Sequence, residues 1–220
     1  VRSRGLGDVY KRQDLTNTTN NTISENVANN STGNMYPMNS AAISLRSGAD
    51  YNIVEHNVVC DCTGVAPISS YYGHHNIIDG NMCARNKYGI YGGYHGIITN
   101  NYCLDNLSEG ISASSRCTVS GNVCVVTDKA QVNSSYSGIA LTGSESTMIS
   151  VTGNTVIFGG GLSTDILSTQ YTIRLSPGAK NCVVTGNSIM GKDVTDENTD
   201  TANKNLIINN KWTGNNTPLP

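Results

Sequence analysis

Apolar and polar positions along this chain fall into one recurring phrase. It is an apolar residue, two small or polar residues, an asparagine, then an apolar or small residue two places on. It reads Ile23-Ser24-Glu25-Asn26, Val54-Glu55-His56-Asn57, Ile78-Asp79-Gly80-Asn81, Ile98-Thr99-Asn100-Asn101, Val119-Ser120-Gly121-Asn122, Val151-Thr152-Gly153-Asn154, Val184-Thr185-Gly186-Asn187 and Ile207-Ile208-Asn209-Asn210. Successive asparagines lie 31, 24, 20, 21, 32, 33 and 23 residues apart. Strand-like phrases at such intervals predict a solenoid, in which each coil of chain stacks on the one before it. A second phrase interleaves with the first: Ile43, Ile68, Ile90, Ile111, Ile139 and Ile173 each open a short alternating run. Alternation of period two puts one face of a strand in a core. Each coil is therefore expected to hold an Ile strand, a turn and an Asn strand, with a third short strand before the next Ile.

Other repeat architectures fit less well. No long apolar pattern of period 3.6 is present, and Gly and Asn interrupt every candidate helix. The Leu spacing of leucine-rich repeats is absent too. The expected fold is all-β, a single-stranded parallel β-helix of about seven to eight coils. The asparagine fits that geometry. At a tight bend an inward Asn can bond its own turn and the Asn of the coils above and below, pairing polar groups that burial would otherwise strand. Glycine before four of these asparagines suits a backbone position of positive φ.

Composition changes the picture only a little. Charged residues make up 14% and aromatic residues 6%, with 23 Gly, one Phe and one Trp. A conventional globular core needs more large apolar side chains, whereas thin layers of Ile, Val, Asn and Cys suffice for a solenoid. No stretch is long and apolar enough to span a membrane. A net charge of −2 gives no case for a nucleic-acid partner. Residues 1–13 carry four of the fourteen basic residues and no repeat phrase. They resemble a translated sequencing-adaptor string of the kind found in metagenomic assemblies, so they are read as a non-native leader and the chain as a fragment. The β-helix is assigned to 14–212 and an exit tail to 213–220. Cys83, Cys103 and Cys124 each follow a ladder Asn by two places, and are expected to point inward as small apolar groups. Cys60-Asp61-Cys62 does not match a zinc-ligand spacing.

Function is expected where coils differ. From each Asn to the next Ile the chain runs 17, 11, 9, 10, 17 and 19 residues. Three tight coils between Asn57 and Ile111 lie between long excursions at roughly 27–42, 124–138 and 156–172. Two walls with a lower floor would form a groove across the coils, suited to a linear polymer. Aligning the phrases on their apolar residue places Tyr51, His75, His95 and Arg116 in one column, and Glu55 beside Asp79 in another. Tyr71, Tyr72, His74, Tyr88, Tyr91 and Tyr94 are near in sequence. Three of the four His and five of the eleven Tyr fall between residues 71 and 95. Tyr rings and imidazoles can stack on sugar rings and bond their hydroxyls.

Two chemistries are open for such a face. Glu55 and Asp79 in adjacent coils would lie roughly 5 Å apart, near the carboxylate spacing of retaining glycosidases, and close carboxylates favour a shared proton that one can donate. A lyase or epimerase instead neutralises a uronate carboxylate and abstracts the adjacent proton. His75, His95, Tyr91 or Tyr94 can serve there as acid or base, and Arg116 or Arg85 can hold the carboxylate.

The repeat phrases from about residue 20 to 212 resemble the right-handed parallel β-helix proteins of the pectate-lyase-like superfamily. The resemblance implies the fold. That superfamily includes lyases, glycosidases, epimerases, adhesins and phage tailspikes, so activity does not follow from it. The Asn-Thr-Asp, paired Asp, Gly-His-Gly and Arg-Ile-Lys series of polygalacturonase-like enzymes is not reproduced: Asn198-Thr199-Asp200 comes last, and Tyr94 breaks Gly93-Tyr94-His95-Gly96. The Asp-Pro-His-Asp motif of mannuronan epimerases is missing, and the carboxylate cluster and Arg of calcium-dependent pectate lyases have no matching residues. No catalytic residue is carried over. The combined expectation is an extracellular, cell-surface or virion protein. Its partner would be a polysaccharide or cell-surface glycan, acted on as a polysaccharide lyase or glycoside hydrolase. The alternatives are a non-catalytic tailspike or adhesin segment and a structural spacer. No cofactor is expected, with calcium the one the resemblance admits, and the tailspike likeness admits a homotrimer.

Overall fold

The computed structural model describes residues 13–29, 41–62, 67–127, 136–142, 147–158, 170–191 and 194–212. Among them lie 24 short strands and no helix, in three parallel sheets of eight strands each. Every strand pairs with the one three places later in the chain, which is the topology of a right-handed parallel β-helix. One coil runs Ile90–Tyr91 in sheet 1, Ile97–Thr99 in sheet 2 and Tyr102–Leu104 in sheet 3. The third strand follows directly on the ladder asparagine. The first strand, Gln13–Leu15, takes in one residue of the expected leader. The expected tail lies outside the described residues.

The register is the one the phrases imply. In sheet 1, Ile43, Ile68, Ile90, Ile111, Ile139 and Ile173 stack in one column. In sheet 2 the column runs from Ile23 through Val54, Ile78, Ile98, Val119, Val151 and Val184 to Ile207. Sheet 3 contributes Val59, Cys83, Cys103, Cys124, Val156 and Ile189. These columns meet in one continuous core. Because only one or two apolar side chains per strand reach it, the core is long and thin. Apolar burial at roughly 25 cal/mol per Å2 is gained coil by coil.

The asparagine ladder spans the full set of phrases. Asn122 shows the pattern. Its Nδ2 donates to Ser120 O of its own turn at 3.1 Å, to Ile98 O of the preceding coil at 2.9 Å, and to Asn154 Oδ1 of the next at 3.0 Å. Its backbone N–H also donates to Asn154 Oδ1, at 3.0 Å. The residue before the ladder Asn has positive φ in every coil, whether Gly80 and Gly121 or Glu25, His56, Asn100 and Asn209. The bend thus demands the left-handed conformation but not glycine. Two further ladders went unread in the sequence. Asn21, Asn52 and Asn76 line the turn from sheet 1 to sheet 2, and Asn86 donates its N–H to Asn106 Oδ1 after sheet 3.

All seven cysteines are buried free thiols. Cys83, Cys103 and Cys124 stack in register along sheet 3. Burial pushes the Cys83 thiol well above its ordinary value and that of Cys117 up to about 11. The reactive thiolate is thereby suppressed, and these residues act as small apolar fillers.

Candidate functional site

The turn between sheets 1 and 2 carries the most concentrated chemistry. At one position per coil it needs a left-handed residue, and Tyr51, His75, His95 and Arg116 occupy it with φ of 58°, 57°, 56° and 58°. That conformation costs an L-residue about 1–2 kcal/mol. Each is held by its backbone: Tyr51 N–H donates to His74 O, His75 N–H to Tyr94 O, His95 N–H to Ser115 O and Arg116 N–H to Thr147 O, at 2.8–3.1 Å. Behind them Asn52, Asn76, Gly96 and Cys117 face inward, so the column itself must face out.

The outward rings form a stack along the solenoid axis. Tyr51 lies over His75 with ring centroids 4.8 Å apart and planes 7° from parallel. His75 lies over His95 at 4.8 Å and 21°. His74 stacks on Tyr94 beside it, at 5.4 Å, and His74 and His95 centroids are 5.9 Å apart. The Arg116 Nη1 is 3.3 Å from His95 Nε2. A guanidinium can only donate, so Nε2 accepts, and the ring proton of neutral His95 sits on Nδ1. That Nδ1 is shielded from solvent and has no hydrogen-bond partner. Burial, then the nearby His75, Arg116 and His74, lower the pKa of His95 below its ordinary value. His75 and Tyr51 spend their facing surfaces on each other, so the stack presents mainly edges: a phenol hydroxyl, imidazole nitrogens and the exposed Arg116 guanidinium.

Glu55 and Asp79 are neighbours in sheet 2, paired in register on its outer side. Asn100 Nδ2 donates to Asp79 Oδ1 at 3.0 Å, and the His56 ring lies against Gly80. Four residues separate Tyr51 from Glu55 and His75 from Asp79. At about 3.3 Å per residue that is at most about 13 Å, with Tyr51 and His75 in the turn before the strand and Glu55 and Asp79 at its far end. The carboxylate pair and the imidazole stack therefore lie at opposite edges of sheet 2 and do not converge.

Tyr71 and Tyr91 belong to a third place, at the sheet 1 side. Their rings meet edge to face at 5.0 Å, and Tyr72 meets Tyr71 at 4.5 Å. The Tyr91 phenol is hydrogen-bonded to Thr142 and Ser112, and burial raises its pKa. The phenol is thereby held protonated, so its basic form is less accessible than the sequence suggested. Arg85, the other candidate cation, is bound by both carboxylate oxygens of Asp61 at 2.8 Å. Of the expected walls, residues 30–40, 128–135 and 159–169 lie outside the described residues.

The sequence reading missed the outer face of sheet 1. Glu109 stands there half-buried, opposite Ser137 of the next coil. Burial raises its pKa above the ordinary carboxylate range, and its Oε2 has no hydrogen-bond partner. Arg174, two coils on, binds Glu197 at 3.1 and 2.8 Å and lies over the Tyr171 ring. A signal was available: aligned on the Ile column, Tyr88, Glu109, Ser137 and Tyr171 share the position two before it.

No protein-family model matches the chain, and no curated protein matches it significantly. Among solved structures it is similar to a mannuronic acid specific polysaccharide family 6 lyase from human gut microbiota, with 14% identity and a TM-score of 0.48. The match covers 89% of this chain and 48% of that one, so this chain spans about half the length of the protein it resembles.

Proposed function

We propose that this chain engages an acidic polysaccharide outside the cell along the turn between sheets 1 and 2, and acts there as a polysaccharide lyase. The observation that carries the reading is the contact of Arg116 with His95 within a solvent-facing stack. Among the described residues Arg116 forms no ion pair, so its charge is open to a uronate carboxylate, and Arg is suited to bidentate carboxylate binding. When Arg116 turns to that carboxylate, His95 Nε2 is released. The lowered pKa of His95 favours its neutral form, the form a base needs. His95 takes the proton next to the carboxylate. The bond to the leaving oxygen then breaks as a carbon–carbon double bond forms, and His75 or Tyr94 supplies the proton to that oxygen. The phenol and imidazole edges bond sugar hydroxyls along the coils.

A binding module that does not cleave is the second reading. It is favoured by the position of Glu55 and Asp79 at the far edge of sheet 2, where they cannot assist the imidazoles. One assay separates the two: incubation with uronic-acid and neutral polymers, followed by binding and by the ultraviolet absorbance of unsaturated uronate. Arg116→Gln is expected to weaken acidic-glycan binding by about tenfold or more, the worth of charge-assisted hydrogen bonds. His95→Ala is expected to abolish product while sparing most binding. Binding unchanged in Arg116→Gln would remove both readings, and binding without product leaves the second.

A further inference from the structure

The outer face of sheet 1 holds a carboxyl group that the turn site does not use. Glu109 opens the strand Glu109–Ala113. Gly110 beside it points inward, since a Cβ there would lie 3.1 Å from Cys124 Sγ. Ile111 is in the core as well, so the alternation breaks at Gly110, and Glu109 lies beside Arg174 and Tyr91 on the outer side of the sheet. One end of its carboxyl is tied down by the Ser108 hydroxyl and by its own backbone N–H. The other oxygen, Oε2, is shielded from water and unpaired. A buried polar atom with no partner costs about 1–3 kcal/mol, and such atoms ask for an explanation.

The surroundings define what would pair with it. Tyr88 holds the same register position one coil before, and Gly89 N–H donates to Glu109 O at 2.8 Å. Ser137 and then Tyr171 hold it one and two coils after. Two phenol rings thus flank the carboxyl along the axis. Among the described residues the cations nearby are Arg174, whose guanidinium is taken up by both oxygens of Glu197, and Lys87, whose Nζ lies 5.7 Å from the Tyr88 ring centroid. Glu109 and Glu197 would together repel an anion. An apolar-faced ligand rich in neutral hydroxyls fits both the rings and the unpaired oxygen.

We propose that Glu109, flanked by Tyr88 and Tyr171, forms a second binding site that takes a neutral saccharide through a hydroxyl bonded to Glu109 Oε2. The site is separate from the turn stack and does not depend on it. Its raised pKa lets the carboxyl either accept from a hydroxyl or, when protonated, donate to one.

Carbon-13 NMR of the Glu side-chain carboxyls tests this on the intact chain. The signal lost in Glu109→Gln assigns the residue. The probes are cellohexaose, mannohexaose and xylohexaose at millimolar concentration, with a hexauronate as the anionic arm. At least one neutral probe is expected to shift the Glu109 signal, to do so equally in Arg116→Gln, and to bind at least about tenfold more weakly to Glu109→Gln. A Glu109 signal unmoved by every neutral probe, or moved by the hexauronate instead, overturns the proposal. Loss of the response in Arg116→Gln would also overturn it, by folding this site into the turn site.

Discussion

Replacing Asn101 by Ala tests the ladder at its middle. Asn101 is 1% exposed. Its Nδ2 donates to Thr99 O, Ile78 O and Asn122 Oδ1 at 2.8–2.9 Å. Its Oδ1 accepts the Asn81 backbone N–H at 2.9 Å and Asn81 Nδ2 at 3.0 Å. The losses are unequal. Asn122 Oδ1 keeps the Asn101 backbone N–H, Thr99 O keeps Gly80 N–H, and Asn81 Nδ2 keeps Val54 O and Asp79 O. The Asn81 backbone N–H loses the acceptor it has. A stranded buried amide costs about 1–3 kcal/mol, and each net hydrogen bond lost about 0.5–1.5 kcal/mol. With one amide stranded and four further bonds gone, the local loss is about 3 kcal/mol or more. Coils contact only their neighbours, so solenoid unfolding need not be all-or-none and a single global midpoint would blur the effect. Native-state hydrogen exchange reads it directly. Protection of the Asn81 amide is expected to fall by about a hundredfold or more, with that of Asn187 little changed. A fall below tenfold, or an equal fall at both sites, would refute the claim that the ladder stabilises the solenoid coil by coil.

Further expectations concern other positions. Gly153 has φ of +65° and open space where a Cβ would go, so Gly153→Ala should cost about 1 kcal/mol from backbone conformation alone. Gly110→Ala places a Cβ 2.6 Å from Gly138 O and 3.1 Å from Cys124 Sγ, and should cost more than that, about 1–3 kcal/mol, because backbone cannot yield. Equal losses in thermal melts of the two variants would contradict this. Burial raises the pKa of Glu109 above the ordinary 4.5. The folded state then holds its proton more tightly, so the stability Glu109 contributes is present at low pH and is lost as pH rises through the folded value. Glu109→Gln does not titrate. Its stability relative to the parent should therefore rise from pH about 4 to about 7, and urea unfolding that shows a flat or falling difference would count against the burial of that carboxyl.

How much of the site was legible follows from what repeats and what does not. The column of Tyr51, His75, His95 and Arg116 could be read from spacing, because sheet pairing fixes which residues stack once the phrases are aligned. Glu55 beside Asp79 was legible for the same reason. Glu109 was missed because the alignment was anchored on the Asn phrase. The Ile phrase, which carries Glu109, Tyr88 and Tyr171 at one offset, was used only to place strands.

The sequence by itself determined the fold, the register and the neighbours of each side chain, since a regular repeat leaves little freedom in how coils stack. Tertiary structure alone decided what those neighbours present. The aromatic and imidazole rings turn their faces to each other. A strand of sheet 2 separates Glu55 and Asp79 from His75 and His95, Asp61 takes up Arg85 while Arg116 rests against His95, and Glu109 is partly withdrawn from water. Register is a one-dimensional property that spacing can encode. Burial, ring orientation and ion pairing depend on how three sheets close around one core, and no single phrase contains that.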